Sequence, residues 1–275
     1  MSGPAAGASV LDAIVARTRA RVAEEREHRP LETLRRAAEN ADPPRPFAAA
    51  LARPGRIGVI AEYKRRSPSR GAIREDLAPA DVARRYERGG AAALSILTDE
   101  PHFGGTLAHL VEARAATRLP VLRKDFTVDP WQVWEARAAA ADAVLMIVAT
   151  LADGDLSTLL ATAREAGLAA LVEVHDRAEL ERAIGAGATV VGVNNRDLRT
   201  LEVSLETALA LSEAIPDDVV AVAESGIRSG ADVRRLRAAG FDAVLIGEHL
   251  MTAPDPGEAL RRLALESEAA GERAT

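Results

Sequence analysis

Beyond Arg56 the chain alternates between two hydrophobic rhythms. Short, nearly continuous apolar runs occur at residues 58–64, 93–97, 120–124, 143–148, 169–174, 189–194, 219–224 and 243–247, starting roughly 20 to 35 residues apart. Continuous rather than alternating apolarity predicts parallel strands covered on both faces. Between them lie longer segments with apolar positions at helical spacing, at 79–88, 107–117, 130–140, 156–166, 178–186, 205–213, 231–239 and 256–265. Eight strand–helix alternations without a domain-sized linker predict an α/β fold, a closed (β/α)8 TIM barrel over residues 57–265. A doubly wound sheet would show fewer strands and a Gly-rich turn after the first, whereas the first strand here runs into Arg65-Arg66-Ser67-Pro68-Ser69.

The segments before the first strand follow the helical rhythm alone. Val10, Ile14 and Val22 share a stripe in a helix over 10–29, with Asp12 early in it. A second helix over 31–41 ends at Asp42-Pro43-Pro44, and a third, over 46–52, stops at Arg53-Pro54-Gly55. Residues 1–56 are therefore expected to form an N-terminal helical extension packed on the barrel, and residues 266–275 a frayed C-terminal tail.

Composition narrows the chemistry. A length of 275 residues suits one barrel, and 48% hydrophobic with 28% charged residues describes a globular protein with a large core. A net charge of −6 gives no reason to expect a nucleic acid or an anionic membrane as partner. The absence of cysteine removes disulfide, zinc-thiolate and thiol-nucleophile readings together. Residues 1–10 lack a basic region followed by an apolar core, and no apolar run is long enough to span a bilayer, so a cytoplasmic protein is expected. The five histidines include no pair with metal-ligand spacing on one helix, and His175, after the fifth strand, could touch substrate but reads first as a turn or surface residue.

Barrel enzymes carry their chemistry at the C-terminal ends of the strands, where this chain concentrates ionisable residues. Glu62 and Lys64 point to the same side of the first strand. Lys124 ends the third, Glu173 lies near the end of the fifth, Asn194 ends the sixth and Glu224 the seventh. Singly, each has a bland reading: Lys124 could pair with Asp125, and Asn194 could shape a turn. As a set they would crowd the barrel mouth with charge, which costs several kcal/mol unless the groups pair or serve a ligand. Ser225-Gly226-Ile227-Arg228 after the seventh strand and Gly247-Glu248 after the eighth occupy the usual phosphate site of the fold.

Seven segments are similar to the indole-3-glycerol phosphate synthase family: 60–71 (IAEYKRRSPSRG), 94–105 (LSILTDEPHFGG), 122–128 (LRKDFTV), 171–175 (LVEVH), 191–198 (VGVNNRDL), 223–227 (AESGI) and 245–251 (LIGEHLM). They span nearly all of the chain from Gly58 to Met251 in family order, and the N-terminal helices resemble the extension those enzymes carry. No departure falls on a catalytic position. Trp131 and Trp134 resemble Tyr-type positions of the family and bear on packing.

The resemblance implies conversion of 1-(o-carboxyphenylamino)-1-deoxyribulose 5-phosphate to indole-3-glycerol phosphate, carbon dioxide and water, with no metal or organic cofactor. It implies Lys124 as general acid, Glu173 as base or proton donor of the later steps, and Glu62, Lys64, Asn194 and Glu224 as the supporting polar shell. Ser225, Gly226, Gly247 and the Glu248 backbone would hold phosphate, with Arg196 beside them. Ser67 and Pro68 sit in the loop after the first strand, and Phe103 would line the anthranilate pocket. Spacing alone leaves open whether Lys124 or Lys64 gives the first proton. The partner implied is a small-molecule sugar phosphate, for a monomer or weak homo-oligomer, with a complex with other tryptophan-pathway enzymes left open. Three rivals remain: the neighbouring phosphoribosyl anthranilate isomerase, whose family pattern uses a cysteine that this chain lacks; a Schiff-base aldolase with Lys124 as nucleophile; and a non-catalytic phosphate-binding barrel.

Overall fold

A computed structural model describes residues 10–53, 55–197 and 200–268. Residues 1–9, Pro54 of the third helix's stop, Leu198 of the 191–198 segment, Arg199 and residues 269–275 lie outside the described residues. Eight parallel strands close into a barrel: β1 (Gly58–Tyr63), β2 (Ala93–Leu97), β3 (Val121–Lys124), β4 (Ala143–Ile147), β5 (Ala169–Val174), β6 (Val190–Asn194), β7 (Val220–Glu224) and β8 (Ala243–Ile246). Each pairs with its neighbours in sequence, and β8 returns to β1 with Gly58 beside Ala243. The fold expected from the hydrophobic rhythm is the fold observed, and the strand ends differ from the expected ones by a residue at most.

Every second residue of a strand faces inward, and this period stacks the interior into layers. Leu122, Leu145, Leu171, Val190, Val222 and Leu245 are buried inside the barrel with Ile60. Two residues further along the same faces come Glu62, Lys124, Ile147, Glu173, Gly192, Glu224 and Gly247, with Asn194 two residues beyond Gly192. An apolar plug thus floors the chemical layer. The opposite faces of the strands form the second, larger core against the surrounding helices.

The N-terminal helices are α1 (Val10–His28), α2 (Leu31–Asn40) and α3 (Phe47–Leu51). Phe47 and Leu51 are fully buried with the barrel's inner cluster and close its lower end. Ile14 and Val22 are buried as their stripe predicts, with Thr18 between them. The extension is held by Arg26–Asp129 at 2.8 Å, by Trp131 Nε1 donating to Arg29 O at 2.8 Å, and by Arg45 N donating to the buried Asp142 carboxylate at 2.6 Å. The Arg29 and Arg35 guanidinium groups lie over the Trp131 and Trp134 rings, so both tryptophans act in packing.

The outer helices are α4 (Pro79–Arg88), α5 (Glu100–Phe103), α6 (Leu107–Ala116), α7 (Pro130–Ala138), α8 (Asp153–Glu165), α9 (Arg177–Gly185), α10 (Glu206–Leu211), α11 (Gly230–Ala238), α12 (Glu248–Met251) and α13 (Pro256–Glu268). Side-chain caps fix several starts: Asp129 accepts from Trp131 N, Asp176 from Glu179 N, and Ser229 forms a capping box with Asp232. The last helix passes the expected limit at Leu265 and continues to Glu268, so residues 266–268 belong to it rather than to a frayed tail.

Candidate active site

The barrel mouth holds one connected set of charges. Lys124 Nζ, at the end of β3, donates to Glu173 Oε2 at 2.7 Å and to Glu224 Oε2 at 2.8 Å, reaching β5 and β7 across the interior. Asn194 Nδ2 on β6 donates to Glu173 Oε1 at 3.0 Å. On the other side Lys64 pairs with Glu62 at 3.0 Å, and Ser95 Oγ donates to the second Glu62 oxygen at 3.2 Å. Lys124 therefore does not pair with Asp125, and Asn194 does more than shape a turn, although its Oδ1 also accepts from Arg196 N at 3.0 Å. Asp125 faces the outside of the barrel, where it pairs with Arg123 at 3.0 Å.

Two glycines are demanded by close approach. A Cβ on Gly192 would lie 2.1 Å from Glu224 Oε1, and one on Gly247 would lie 2.4 Å from Glu62 Oε1. Each leaves the space that a carboxylate of the charged layer fills.

Electrostatics separate the two carboxyl groups beside Lys124. Burial alone would raise Glu173, but the Lys124 and His175 charges and the hydrogen bonds from Lys124 and Asn194 outweigh it and hold its pKa at about 2. Burial pushes Glu224 up, and a single shared ammonium beside a second carboxylate leaves it at about 7. Burial would lower Lys124, yet Glu173, Glu224 and Glu62 together raise it, so it remains an ammonium. Glu224 Oε1 is buried without a hydrogen-bond partner.

Two compartments open above this layer. One, of about 140 Å³, joins the charged set to an apolar wall of Leu97, Phe103, Phe126, Leu145, Ile147 and Leu245, with the two phenyl rings 6.4 Å apart. The other, of about 300 Å³, is lined by Arg70, Arg196, Ser225, Gly226, Arg228, Gly247, Glu248 and His249. Glu62, Lys64, Arg196, Ser225 and Leu245 border both. Ser225 adopts φ 64°, a left-handed conformation that non-glycine residues hold only under local constraint. The Glu248 carboxylate turns toward Arg70, 3.4 Å away, and Arg196, 3.9 Å away.

Twelve of the fourteen residues singled out by sequence border these compartments. Ser67 and Pro68 do not. The chain doubles back in a two-residue hairpin, Arg66–Ser67 against Gly71–Ala72, which buries Ser67 with its hydroxyl 3.3 Å from Ser69 and leaves Pro68 exposed. Arg70 of the same loop points into the polar compartment instead. Phe126 carries no sequence signal of its own within the 122–128 segment, and His175 reads first as a turn or surface residue. The latter is not a free surface group: Nδ1 lies 3.0 Å from Glu179 and Nε2 lies 3.5 Å from Glu173 Oε1. The two-residue period that grouped Glu62 with Lys64 would have grouped Glu173 with His175.

The sequence profile described as Indole-3-glycerol phosphate synthase matches residues 11–263. The chain belongs to the indole-3-glycerol phosphate synthase family. Among its relatives is the indole-3-glycerol phosphate synthase of Aromatoleum aromaticum, 51% identical over 257 residues, covering 92% of this chain and 98% of that protein. The one from Acidithiobacillus ferrooxidans is 49% identical over the same coverage. A solved 3-hexulose-6-phosphate synthase from Salmonella typhimurium superposes with a TM-score of 0.61 at 14% identity, over 76% of this chain and 97% of that one; it speaks for the barrel alone. As a member of the indole-3-glycerol phosphate synthase family, the chain is a carbon–carbon lyase of tryptophan biosynthesis, forming indole-3-glycerol phosphate with loss of carbon dioxide and water. Among the described residues no helix is long and apolar enough to cross a membrane.

Proposed function

We propose that Lys124 starts the reaction as general acid. The substrate is a flexible molecule with an anthranilate ring at one end and a phosphate at the other. The apolar wall around Phe103 and Phe126 suits the ring, and the loops at Ser225-Gly226 and Gly247-Glu248, with Arg196 and Arg70, suit the phosphate. Holding both ends folds the chain so that the carboxylate-bearing ring carbon faces the ketone. As the carbon–carbon bond forms, the ketone oxygen gains negative charge. Lys124 stabilises it and transfers a proton, a role worth roughly 10²–10⁴ in rate. Lys64, steadied by Glu62, pairs with the substrate carboxylate until it departs as carbon dioxide and its electron pair restores the ring. Glu173 then protonates the leaving hydroxyl, which departs as water, and as a carboxylate removes the last carbon-bound proton. Asn194 orients Glu173, and Glu224 balances Lys124.

The observation that carries this reading is the position of Lys124 Nζ, 2.7 and 2.8 Å from two buried carboxyl groups of unequal proton affinity. The test supplies the purified protein with the carboxyphenylamino substrate and follows indole fluorescence in wild type, Lys124→Ala and Lys64→Ala. The expected result is product from wild type and the larger loss of turnover in Lys124→Ala. Near-normal turnover there, with Lys64→Ala losing orders of magnitude, would exchange the two roles. The reading also assigns the enzyme to the cytoplasm as a monomer or weak homo-oligomer, which light scattering across a concentration series checks.

A further inference from the structure

His175 stands where β5 ends, between the site and the first turn of α9. Its backbone N–H and its Nδ1 both meet Glu179 Oε2, at 2.8 and 3.0 Å, so Nδ1–H donates to that carboxylate. Its Nε2 is buried without a hydrogen-bond partner, 3.5 Å from Glu173 Oε1. An imidazole nitrogen that carries no proton would aim its lone pair at a carboxylate oxygen. The arrangement is favourable only when one proton lies between the two. Glu173 is 2% exposed, whereas the side chains of His175 and Glu179 are each 16% exposed. The line from Glu179 through His175 thus ends at water on one side and at the reacting carboxyl group on the other.

The reaction requires such a line. The substrate enters with an ionised carboxylate that leaves as neutral carbon dioxide, so each turnover takes up one proton from solvent. We propose that His175 is the proton inlet of the site, a relay and positioning residue that charges Glu173 with a proton drawn from water. The inference rests on the acid–base reading above. Once Lys124 has given its proton to the ketone oxygen, Glu173 loses the cation that held it ionised. The His175 Nε2–H bond then breaks, the proton passes to Glu173 Oε1, and the imidazolium becomes a neutral imidazole with Nδ1–H still on Glu179. Glu173 gives this proton to the departing hydroxyl, takes the last carbon-bound proton in return, and hands it to Lys124, 2.7 Å from its other oxygen. Rotation of the ring about its Cα–Cβ bond brings the bare Nε2 to water, which restores the imidazolium. Two protons enter the substrate and one leaves it, which matches the net uptake.

The groups facing His175 favour its charged form. Burial works against it, but Glu179 from α9, Glu173 from its own strand and Glu224 from β7 outweigh burial and raise its pKa above the usual histidine value. The 3.5 Å gap is longer than a working hydrogen bond, as catalytic contacts often are before substrate closes them.

Single-turnover formation of indole product, read by fluorescence, tests the relay in wild type, His175→Gln and His175→Ala. The glutamine can still donate to Glu173 but cannot pass a proton on. The expected loss is about 10- to 100-fold in both variants, with KM within about twofold because no contact to substrate is removed. Imidazole added to His175→Ala should restore rate in proportion to the imidazolium present. Wild-type single-turnover rate in His175→Gln would overturn the proposal. So would a slow His175→Ala with a lowered melting temperature and no response to imidazole, since that marks packing alone. A failure of the acid–base reading would look different: Lys124→Ala would then turn over normally whatever His175 does.

Discussion

Arg123 and Lys124 are neighbours on β3, both buried cations and each between two carboxylates, yet the strand's pleat sends them into different worlds. Arg123 faces outward, beneath α7. Its guanidinium donates to Asp125 at 3.0 Å, Glu135 at 2.8 Å, Thr98 Oγ1 at 3.2 Å and Gln132 O at 3.0 Å. The carboxylates are themselves filled: Asp125 accepts from Thr98 and from Phe126 N, and Glu135 from Arg29. Lys124 faces inward to a set that is left incomplete. The mouth pairs two lysines with three glutamates, Glu224 keeps a buried oxygen without a donor, and His175 keeps a buried nitrogen without a hydrogen bond. The carboxylates around Arg123 are filled by the fold itself, whereas the set around Lys124 keeps acceptor capacity that the fold leaves open. Residue type follows the same division, because a guanidinium fills a fork of acceptors and keeps its proton, whereas an ammonium can release one.

The contrast is broken most directly by truncating each cation. Lys124→Met should cut kcat by at least about 10²–10⁴ and cost less stability than the matching change at Arg123, because the two carboxyl groups left facing each other can share one proton. Arg123→Met should do the reverse. Removing one partner of a buried ion network costs about 3–5 kcal/mol of stability, while the fraction that remains folded should keep its kcat. Urea titrations and turnover measured on the same preparations check both. Equal loss of stability in the two variants would erase the distinction.

How much of this was legible in the chain follows from the same pleat. The barrel, its eight strands and the inward charges could be read because apolar runs and a two-residue period are local properties, and Glu62, Lys64, Lys124, Glu173 and Glu224 obey them. Arg123 was invisible as a structural ion because its partners Thr98, Asp125, Gln132 and Glu135 come from three segments that only the closed fold brings together. That Ser67 borders neither compartment has a related cause: its hairpin partner Gly71 is set by how the loop folds back, not by any hydrophobic rhythm. Arg70 gave no signal, being one more arginine in a basic loop. His175 did give one, through its spacing from Glu173, and a histidine beside a turn residue, Asp176, disguised it.

A smaller perturbation sharpens the contrast by moving one carboxylate without removing it. In Gly192→Ala the new Cβ would lie 2.1 Å from Glu224 Oε1, at the end of a side chain able to shift. Alanine is no worse than glycine in a strand, so the fold should persist with near wild-type melting. The displaced Glu224 no longer meets Lys124 at 2.8 Å, and misplacement by about 1 Å can cost up to about 10²-fold in rate. Turnover alongside thermal melting checks this. Wild-type kcat would mean that the pairing of Glu224 with Lys124 is dispensable.

The gentlest probe is pH, and the two carboxyl groups beside Lys124 should answer with opposite signs. Glu224 has its folded pKa raised to about 7, so between the ordinary carboxylate range and that value the native state binds a proton that the unfolded chain releases. Its contribution to stability is present at low pH, declines as pH rises through this window, and is gone above it. Glu173 is held at about 2, so its contribution is present above the ordinary carboxylate range and declines as pH falls toward that value. Replacing Glu224 with glutamine removes the first dependence and leaves the second. Urea midpoints should therefore fall between about pH 5 and pH 8 in wild type relative to Glu224→Gln, while both proteins weaken together below pH 4. Parallel curves across the upper window would mean that the unpaired oxygen of Glu224 carries no proton in the resting enzyme, and that the charge imbalance of the mouth is met elsewhere, with the His175 imidazolium as the remaining group able to meet it.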